Sequence, residues 1–389
     1  MREGSERSKL LFGALIIATI SFVAGTRIDS IYSSVAPLFG VRVSTSSLDL
    51  QTTQEVYRKL KAEFDGEIND QQLIYGASRG LVQATGDPYT VFMDPDEVKE
   101  FEMSMNGDIG GGIGAEIGLR DNKLTIIRPL KGSPAEQSGL LPGDIITKVN
   151  DKSASGWTVD QVVSKIRGDV DSKVNITVIR DGESKDFSIT RQKIVAPTVE
   201  SEIKDGVGIL TVHRFNDETG KLSRTAAEEF VRQGVNRVVL DLRGNPGGTV
   251  SSAKLLAGLW LDNQVIMTER RGEEIIDTVK SIGQPILGDT KTVVLINGGS
   301  ASASEIIAGA LKDHGKATLV GEKSFGKGSV QALVSLSGGA QMRITQSRWF
   351  TPNGKNIDHQ GIEPDKQVEL TAGDVNKGVD PQLNEAMKL

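Results

Sequence analysis

The sequence contains no cysteine, and this absence excludes disulfide bonds, a thiol nucleophile and cysteine-bound metal. Histidine is also scarce: the chain has only His213, His314 and His359. We therefore expect no histidine-rich metal site and no metal cofactor. Any chemistry that requires an imidazole must use one of these three side chains.

Acidic residues outnumber basic residues in this sequence. The chain has 45 lysines and arginines against 51 acidic residues, which gives a formal net charge of −6. Proteins that bind nucleic acid generally present a basic face, so we expect no nucleic-acid partner. The 389 residues are enough for two or three domains, each with its own core.

The apolar run Leu10–Ala24 is shorter than the ~20 residues of a comfortable membrane span. It follows Arg2, Arg7 and Lys9, and a basic stretch before an apolar one is typical of an export signal. No clean A-x-A cleavage site follows. We interpret residues 1–26 as a signal peptide or an uncleaved membrane anchor, with a buried core helix as the third alternative. Both export alternatives place the rest of the chain outside the cytoplasm, and an anchor would also attach it to the membrane.

Composition and periodicity divide the remaining chain. Apolar residues at helical spacing predict two helices that are separated by a turn at Asp65-Gly66. Short β-branched strands that alternate with helices after Pro197 predict an α/β segment. The predicted divisions are a Ser/Thr-rich linker at 27–48, a helical segment at 49–98, a glycine-rich β segment at 99–193, the α/β segment at 194–370, and a poorly structured tail at 371–389.

The β segment contains a possible peptide-binding groove. Its glycine-rich loop Gly110–Gly114 enters a predicted strand, Ile113–Ile117, and an amphipathic helix is predicted at Thr158–Ile166. Loop amides can bind a terminal carboxylate, and a groove between strand and helix can hold an extended peptide. The alternative is that the loop is only a tight turn. The groove residues on the first interpretation are Gly112, Ile113, Gly114, Val162 and Ile166.

The order of these elements resembles a PDZ domain. The resemblance depends on the combination of Gly132-Ser133-Pro134-Ala135 with Gly139-Leu140-x-Pro142-Gly143-Asp144-Ile145. A PDZ domain implies binding of C-terminal tails, and of apolar tails in particular.

A serine-rich bend follows the predicted strand Thr292–Ile296 and precedes a helix. A strand–turn–helix with small residues at the bend can present a hydroxyl to a substrate, and the free amides of a helix N-terminus favour a developing oxyanion. The alternative is plain helix capping, which Ser302 and Glu305 would suit. The residue types alone do not separate Ser302 from Ser300 and Ser304 as a nucleophile.

Lys327 is the candidate base for such a serine. It lies in Ser324-Phe325-Gly326-Lys327-Gly328-Ser329, where the flanking glycines allow the backbone to pass close to another element. A lysine in an apolar site has a lowered pKa and can supply a neutral amine. Such an amine can accept a serine proton without any histidine. The alternative is an ordinary solvated loop lysine.

A further glycine-rich turn, Asp241–Thr249, follows a predicted strand and precedes a helix. It is reminiscent of the Gly-Asn-Ser-Gly-Gly of chymotrypsin-like proteases, but Pro246 stands where that nucleophile would be. The turn offers backbone amides at Gly247 and Gly248 that would suit half of an oxyanion hole. A purely structural turn is the alternative.

These three segments, in this order, resemble the carboxyl-terminal processing, or tail-specific, protease family over about Val56–Pro364. The motifs that carry the resemblance are Gly86-Asp87-Pro88-Tyr89-Thr90, the PDZ-like segment, Asp241-Leu242-Arg243-Gly244-Asn245-Pro246-Gly247-Gly248, Gly299-Ser300-Ala301-Ser302-Ala303-Ser304-Glu305 and Gly321-Glu322-Lys323-Ser324-Phe325-Gly326-Lys327-Gly328.

The resemblance implies a crotonase-like β–α protease core with an inserted PDZ domain and an N-terminal helical segment. It implies that Ser302 is the nucleophile, that Lys327 is the general base, and that Gln331 orients the lysine. The amide of Ala303 and that of Gly247 or Gly248 would form the oxyanion hole. Arg128 would link tail binding to the active site, although an arginine at a strand end can also be merely solvated.

The resemblance further implies a serine endopeptidase that needs no cofactor and cleaves exported proteins with apolar C-terminal tails. It makes a homodimer possible and favours the periplasm or cell envelope. Two other hypotheses remain at this point: a PDZ-based binding module with an inert scaffold, and a histidine-dependent serine protease of another class.

Overall fold

The computed structural model describes residues 48–120, 123–130 and 132–389. The predicted export segment 1–26, and the predicted linker up to residue 47, lie outside the described residues. Within the described ranges, no helix is both long and apolar enough to cross a membrane. The chain divides into two compact units, of which the first ends at Leu73 and the second begins at Ile74.

Both predicted N-terminal helices are confirmed. Helix α1 spans Gln51–Glu63 and helix α2 spans Asp70–Gln83. Neither helix contains a buried residue. Val56 and Phe64 of the first unit are more than half exposed, so the apolar face that the periodicity predicts is uncovered there.

A short strand and a capped helix precede the PDZ-like segment. Strand β1 spans Val91–Met93, and helix α3 spans Pro95–Met105. The Asp94 carboxylate accepts hydrogen bonds from the amides of Asp96 and Glu97, and Pro95 occupies the first turn. This arrangement satisfies amides that have no partner inside the helix, and it fixes where α3 begins.

The PDZ-like segment is a small β domain around one buried apolar cluster. Its central sheet has the order β3-β4-β5-β7-β8, and β2 pairs separately with β9. Ile113 lies between β2 and β3, so the predicted strand Ile113–Ile117 is wrong in its start and begins at Ala115. The elements are β2 (Asp108–Gly112), β3 (Ala115–Arg120), β4 (Lys123–Pro129), α4 (Pro134–Gln137), β5 (Ile145–Val149), β6 (Lys152–Ser153), α5 (Val159–Ile166), β7 (Lys173–Arg180), β8 (Glu183–Thr190) and β9 (Gln192–Val195).

The predicted α/β segment contains a six-stranded sheet of order β10-β11-β12-β15-β16-β19. Every pairing is parallel except that of β10 with β11. Parallel strands require crossovers, and the helices that supply them pack into one apolar cluster on the sheet. The elements are β10 (Val199–Lys204), β11 (Val207–Val212), α6 (Thr219–Arg232), β12 (Arg237–Asp241), α7 (Val250–Ala257), β15 (Lys291–Ile296), α8 (Ala303–Asp313), β16 (Ala317–Gly321) and β19 (Lys366–Gln367).

A second, antiparallel sheet was not predicted. Four of its strands have the order β1-β18-β13-β14. The fifth strand, β17, also pairs with β18 but is not part of this linear order. Val91 pairs with Arg343, so this sheet joins the start of the second unit to its late strands. The new elements are β13 (Val265–Arg271), β14 (Glu274–Lys280), β17 (Ser329–Ser335) and β18 (Gln341–Phe350).

The prediction of a poorly structured tail is wrong. Helix α9 spans Ala372–Asn376 and helix α10 spans Pro381–Ala386. Gln382 is fully buried, and Ala386 packs with Ile209, Val239 and other residues of the six-stranded sheet. The tail therefore covers the sheet face that α6, α7 and α8 leave open.

Candidate active site

Ser302 lies at the bend between β15 and α8 in a strained conformation. Its φ is 53° and its ψ is −116°, which is unusual for a residue with a side chain. Its neighbours Ser300 and Ser304 are fully buried. The Ser300 hydroxyl donates to the Leu242 carbonyl at 2.8 Å, and the Ser304 hydroxyl donates to the Asn245 carbonyl at 3.0 Å. Ser302 is therefore the only one of the three serines that combines solvent access with backbone strain.

Backbone groups cap the start of α8. The Ser304 amide donates to the Ala301 carbonyl at 3.1 Å, and the Glu305 amide donates to the Ser302 carbonyl at 2.8 Å. The Glu305 carboxylate in turn accepts the Ser302 amide at 2.8 Å. Plain capping by a serine in ordinary extended geometry, which was the alternative for Ser302, does not explain its strained backbone.

Glu305 joins the serine bend to the lysine loop. Its side chain is fully buried. One carboxylate oxygen accepts the amides of Ser302 and Lys327, at 2.8 and 3.0 Å. The other accepts the Ser324 hydroxyl at 2.6 Å and the Gly326 amide at 2.7 Å. The capping role expected of Glu305 does not include this link between two segments, for which the sequence carries no signal.

The lysine loop passes close to a neighbouring backbone, as its glycines predict. A methyl group at Gly326 would lie 2.8 Å from the Gly361 amide nitrogen, and one at Gly328 would lie 2.6 Å from the Asp358 amide nitrogen. Larger residues would push the loop away from its support. The loop carbonyl of Lys327 also accepts the indole N–H of Trp349 at 2.8 Å.

The Lys327 amine lies in a site that disfavours its charged form. Burial lowers the pKa of Lys327, and the Arg343 guanidinium lowers it further, while Glu305 opposes them. The amine lies 5.3 Å from the centre of the Tyr89 ring. Lys327 is thus not the solvated loop lysine of the alternative interpretation.

Gln331 lies on β17, where its side-chain amide donates to the Ser329 hydroxyl at 2.8 Å. The pairing of β17 with β18 shifts register between Val330 and Gln331. Because of this irregularity, the alternation of side chains along a regular strand does not by itself place Lys327 and Gln331 on one face. The orienting role of Gln331 stays a prediction.

The glycine turn lies directly against the serine bend. A methyl group at Gly247 would be 2.8 Å from both the Ser302 Cβ and the Ala303 amide nitrogen. The Gly247 amide is not free, because it donates to the Asn245 side chain at 2.8 Å. In the described part of the chain, the amides of Gly248 and Ala303 have no hydrogen-bond partner. Of the two glycines, Gly248 is therefore the one with an available donor.

Arg243 fastens this turn to the tail. Its guanidinium binds Asp241 at 2.6 Å and Asp380 at 2.8 Å, and it donates to the Gln382 side chain at 2.9 Å. Although burial opposes its charge, the hydrogen bonds to Asp241 and Asp380 raise the pKa of Arg243. This contact was not predicted, because the sequence of the tail indicates poor structure.

The histidines are engaged elsewhere. The His213 ring contacts the Glu200 carboxylate at 2.9 Å, and the His314 ring contacts the Val265 carbonyl at 2.7 Å. His359 is exposed beside Asp358. Among the residues that the structure describes, no histidine ring is hydrogen-bonded to Ser302. The described ranges also contain no cluster of side chains that could hold a metal ion.

The predicted groove residues of the PDZ-like segment lie in its core. Ile113, Val162 and Ile166 are 2%, 0% and 3% exposed. Gly112 pairs with Gln192 in the β2–β9 ribbon, and Gly114 has a φ of 70° against Ser133. An open apolar cavity of 720 Å³ lies near the start of α5, lined by Leu119, Leu124, Ile146, Trp157, Val159, Ile179 and neighbouring polar residues.

Arg128 is not merely solvated. Its guanidinium binds Glu116 of β3 at 2.9 Å and Glu200 of β10 at 3.1 Å. The hydrogen bonds that Arg128 donates to Glu200 and Glu116 outweigh burial and raise its pKa. The arginine therefore bridges the PDZ-like segment and the α/β segment.

Comparisons with known proteins agree with this arrangement. A model of peptidase family S41 matches residues 206–368, a PDZ-domain model matches 125–180, and a model of the activating protease CtpB N-terminal domain matches 34–97. A probable CtpA-like serine protease of Staphylococcus haemolyticus is 35% identical over 366 residues, which cover 92% of this chain and 72% of the relative. The chain belongs to peptidase family S41. A probable CtpA-like serine protease of Staphylococcus aureus MRSA252 is 34% identical over 363 residues, with the same coverage of 92% and 72%.

Solved structures also resemble this S41 peptidase. The photosystem II D1 C-terminal processing protease is 29% identical, with a TM-score of 0.53 over 83% of this chain and 87% of that protein. A putative S41 protease from Bacteroides fragilis is 18% identical, with a TM-score of 0.59 over 89% and 98%, and it supports the fold alone.

These matches confirm the predicted family, the mixed α/β fold with a PDZ domain, and the serine-type peptidase activity. A pure binding module with an inert scaffold is therefore excluded. As an S41 peptidase with a PDZ domain, the protein acts on protein substrates.

Proposed function

We propose that this S41 peptidase is an endopeptidase with Ser302 as nucleophile and Lys327 as general base. One observation carries the proposal: the strained Ser302 and the loop of Lys327 share one buried carboxylate, that of Glu305. The lowered pKa of Lys327, caused by burial and then by Arg343, supports a neutral amine at that position. A neutral amine is the form that a general base must have.

In the proposed reaction, the Lys327 amine takes the proton from the Ser302 hydroxyl while the serine oxygen bonds to the scissile carbonyl carbon. The oxyanion accepts hydrogen bonds from the amides of Gly248 and Ala303. The absence of another partner for these two amides in the described part of the chain supports this role. The Lys327 ammonium then gives its proton to the leaving amine as the C–N bond breaks. Water then hydrolyses the acyl-enzyme and restores the serine. Gln331 orients the Lys327 amine throughout these proton transfers.

Replacement of either dyad residue tests this assignment. We expect Ser302→Ala and Lys327→Ala to abolish cleavage of an unfolded protein substrate and to leave binding of an apolar peptide tail intact. Ser304→Ala is the matched control, because its hydroxyl is buried and bonded to Asn245. Normal turnover by the Lys327 variant would refute the dyad, and normal turnover by the Ser302 variant would mean that another serine attacks.

We also propose that the PDZ domain, with boundaries 99–193, recognises apolar C-terminal tails and transmits their binding to the core at 194–370. The apolar cavity beside α5 supports an apolar ligand, and the bridge from Arg128 to Glu200 supports a link between the two domains. Because Ile113, Val162 and Ile166 are buried, a tail must open the groove before it can contact them. Two substrates that differ only in an apolar or a charged tail test this proposal; equal cleavage rates would refute it.

We further propose an extracytoplasmic location, in the periplasm or cell envelope, with residues 1–26 as export signal or membrane anchor. Mass spectrometry of the native protein's N-terminus distinguishes them: a signal peptide is removed, whereas an anchor is retained and keeps the protein in the membrane fraction. A chain that keeps residue 1 and remains in the cytosolic fraction would refute the proposal.

A homodimer is proposed through the N-terminal helical segment. The uncovered apolar side chains Val56 and Phe64 support an association of two copies, since burying them would remove apolar area from water. Light scattering of the full chain should give twice the chain mass. Val56→Glu should reduce it to the monomer mass, and a wild-type monomer at all concentrations would refute the dimer.

A further inference from the structure

Arg343 is a partly buried cation of the second, antiparallel sheet. It lies on β18, and its side chain is partly buried. Its Nε donates to the Tyr89 carbonyl at 3.2 Å, and its guanidinium carbon lies 5.8 Å from the centre of the Phe101 ring. It forms no ion pair with any residue in 48–120, 123–130 or 132–389. Partial withdrawal of this charge from water costs free energy, and the Asp87 carboxylate offsets part of that cost without forming an ion pair with it.

Tyr89 connects this arginine to the proposed base. The Tyr89 carbonyl accepts Arg343, and the ring of the same residue lies 5.3 Å from the Lys327 amine. The ring face attracts a cation and so holds the lysine side chain in place. The arginine, which is bound to the carbonyl of the same residue, repels a positive charge on that lysine, and partial burial weakens the screening of this repulsion by water.

We propose that Arg343 is a positioning residue of the proteolytic reaction: its guanidinium, held by the Tyr89 carbonyl, repels the Lys327 ammonium and keeps the amine neutral for Ser302. Arg343 touches neither substrate nor the reacting atoms; it acts through Lys327. The inference rests on the Ser–Lys dyad proposed above and adds the group that makes the lysine competent at neutral pH.

The other charged groups around Lys327 do not supply this repulsion. From α8, Glu305 favours the ammonium. From the loop before β1, the Asp87 carboxylate accepts hydrogen bonds from the Tyr89 amide at 3.0 Å and the Thr90 hydroxyl at 2.6 Å, and it attracts the Arg343 guanidinium.

The remaining charged groups lie near the end of β18 and in the segment that follows it. Arg348 of β18 is paired with Asp358, which also accepts the Gly328 amide at 3.2 Å. His359 is exposed to water. Among the described residues, Arg343 is the one cation whose charge lowers the pKa of Lys327, after the larger effect of burial. Burial lowers the pKa of Arg343 itself, and the Asp87 carboxylate opposes that effect.

The test is the pH dependence of kcat/KM for the full chain with Arg343 replaced by Gln or by Lys. Removing the positive charge should raise the pKa of Lys327, so the acidic limb should move to higher pH by roughly one unit. Well below the limb, Arg343→Gln should then be about tenfold less active than wild type, and above it the difference should largely vanish. Arg343→Lys, which keeps the charge, should keep the wild-type limb. Arg271→Gln is the matched control, because Arg271 belongs to the same sheet and also donates to a backbone carbonyl, that of Gln346.

A second measurement does not depend on activity. The rate of Lys327 acetylation by acetic anhydride, measured by mass spectrometry against pH in the Ser302→Ala background, reports the pKa of Lys327 directly. It should show the same upward shift in Arg343→Gln. An activity loss that is uniform across pH, with an unchanged acetylation profile, would mean that Arg343 only supports the fold, and the inference would be overturned. If Lys327→Ala retains activity, the dyad itself fails; if that variant is inactive and the Arg343→Gln profile is unmoved, only the inference fails.

Discussion

The buried Glu305 carboxylate offers the sharpest test of how this active site is held together. It accepts four hydrogen bonds, from the amides of Ser302, Gly326 and Lys327 and from the Ser324 hydroxyl. Glu305→Gln keeps the shape of the side chain but replaces one accepting oxygen with a donating NH2 group. We expect this single exchange to destabilise the protein and to slow catalysis together.

The size of the effect follows from the best orientation of the new amide. With its oxygen facing Ser302 and Lys327, the NH2 group faces the Ser324 hydroxyl, which can turn and accept it, and the Gly326 amide, which cannot. One buried N–H without a partner costs about 1–3 kcal/mol. The loss of charge weakens the remaining bonds, and the lower cost of burying a neutral amide partly offsets that loss. The free energy of unfolding should therefore fall by about 2–4 kcal/mol.

Urea unfolding, followed by tryptophan fluorescence, measures this change. Trp260 and Trp349 are both 1% exposed and lie in the protease core. Because the unpaired amide directly precedes Lys327, kcat/KM should also fall by roughly 10–100-fold. The matched control is Glu363→Gln, which removes an exposed pair with Lys323 at 3.0 Å worth at most about 1 kcal/mol. If Glu305→Gln matched this control in both stability and activity, the account of Glu305 as the link between serine and lysine would be wrong.

Two further predictions concern the glycine turn. Although burial opposes ionisation of Asp380, hydrogen bonds from Arg243 and the backbone hold its pKa below the usual range. The stability that this carboxylate contributes is therefore present above its unfolded pKa and lost as pH falls through the folded value. Asp380→Asn should lower the unfolding free energy by about 1–2 kcal/mol at neutral pH. Urea titrations should show that the unfolding free energies of variant and wild type converge in acid. A difference in unfolding free energy that does not depend on pH would contradict this. In Gly248→Ala the new methyl would lie 2.0 Å from the Phe215 carbonyl oxygen, whereas in Gly244→Ala it would meet nothing within 4 Å. Peptidase assays should show the first variant inactive and the second close to wild type, and similar activities would argue against the close approach.

The chemistry-bearing segments could be predicted because their residue types are local signals. The strand before Ser302, the glycines around Lys327 and the helices at 51–63 and 70–83 all depend on short-range pattern, and the structure contains them. The surroundings of the lysine could not be predicted. Tyr89 and Arg343 reach Lys327 from distant parts of the chain, and only the pairing of β1 with β18 brings them together.

The second sheet and the tail were missed for different reasons. Strands β13 and β14 carry charged residues and β14 is mostly exposed, while β17 is mostly partly buried or exposed, so the apolar periodicity of all three strands is weak. The tail is rich in polar residues, and its order depends on tertiary contacts such as that of Arg243 with Asp380. The amide of Gly247 shows a third limit: whether a backbone donor is free depends on a side chain two residues away, Asn245.

The pairing of β1 with β18 also sets the order in which the chain can be completed. Val91 pairs with Arg343 and Met93 pairs with Gln341, so β1 cannot join this sheet until β18 has been synthesised. The intervening PDZ domain has its two ends joined by β2 and β9, so we expect it to fold as soon as Val195 has emerged from the ribosome or the export channel. A nascent or prematurely terminated chain thus displays a folded PDZ domain while its Lys327 still lacks Tyr89 and Arg343 as neighbours. On the proposed mechanism, proteolytic competence therefore arises only after β18 has been added, later than the PDZ domain has folded.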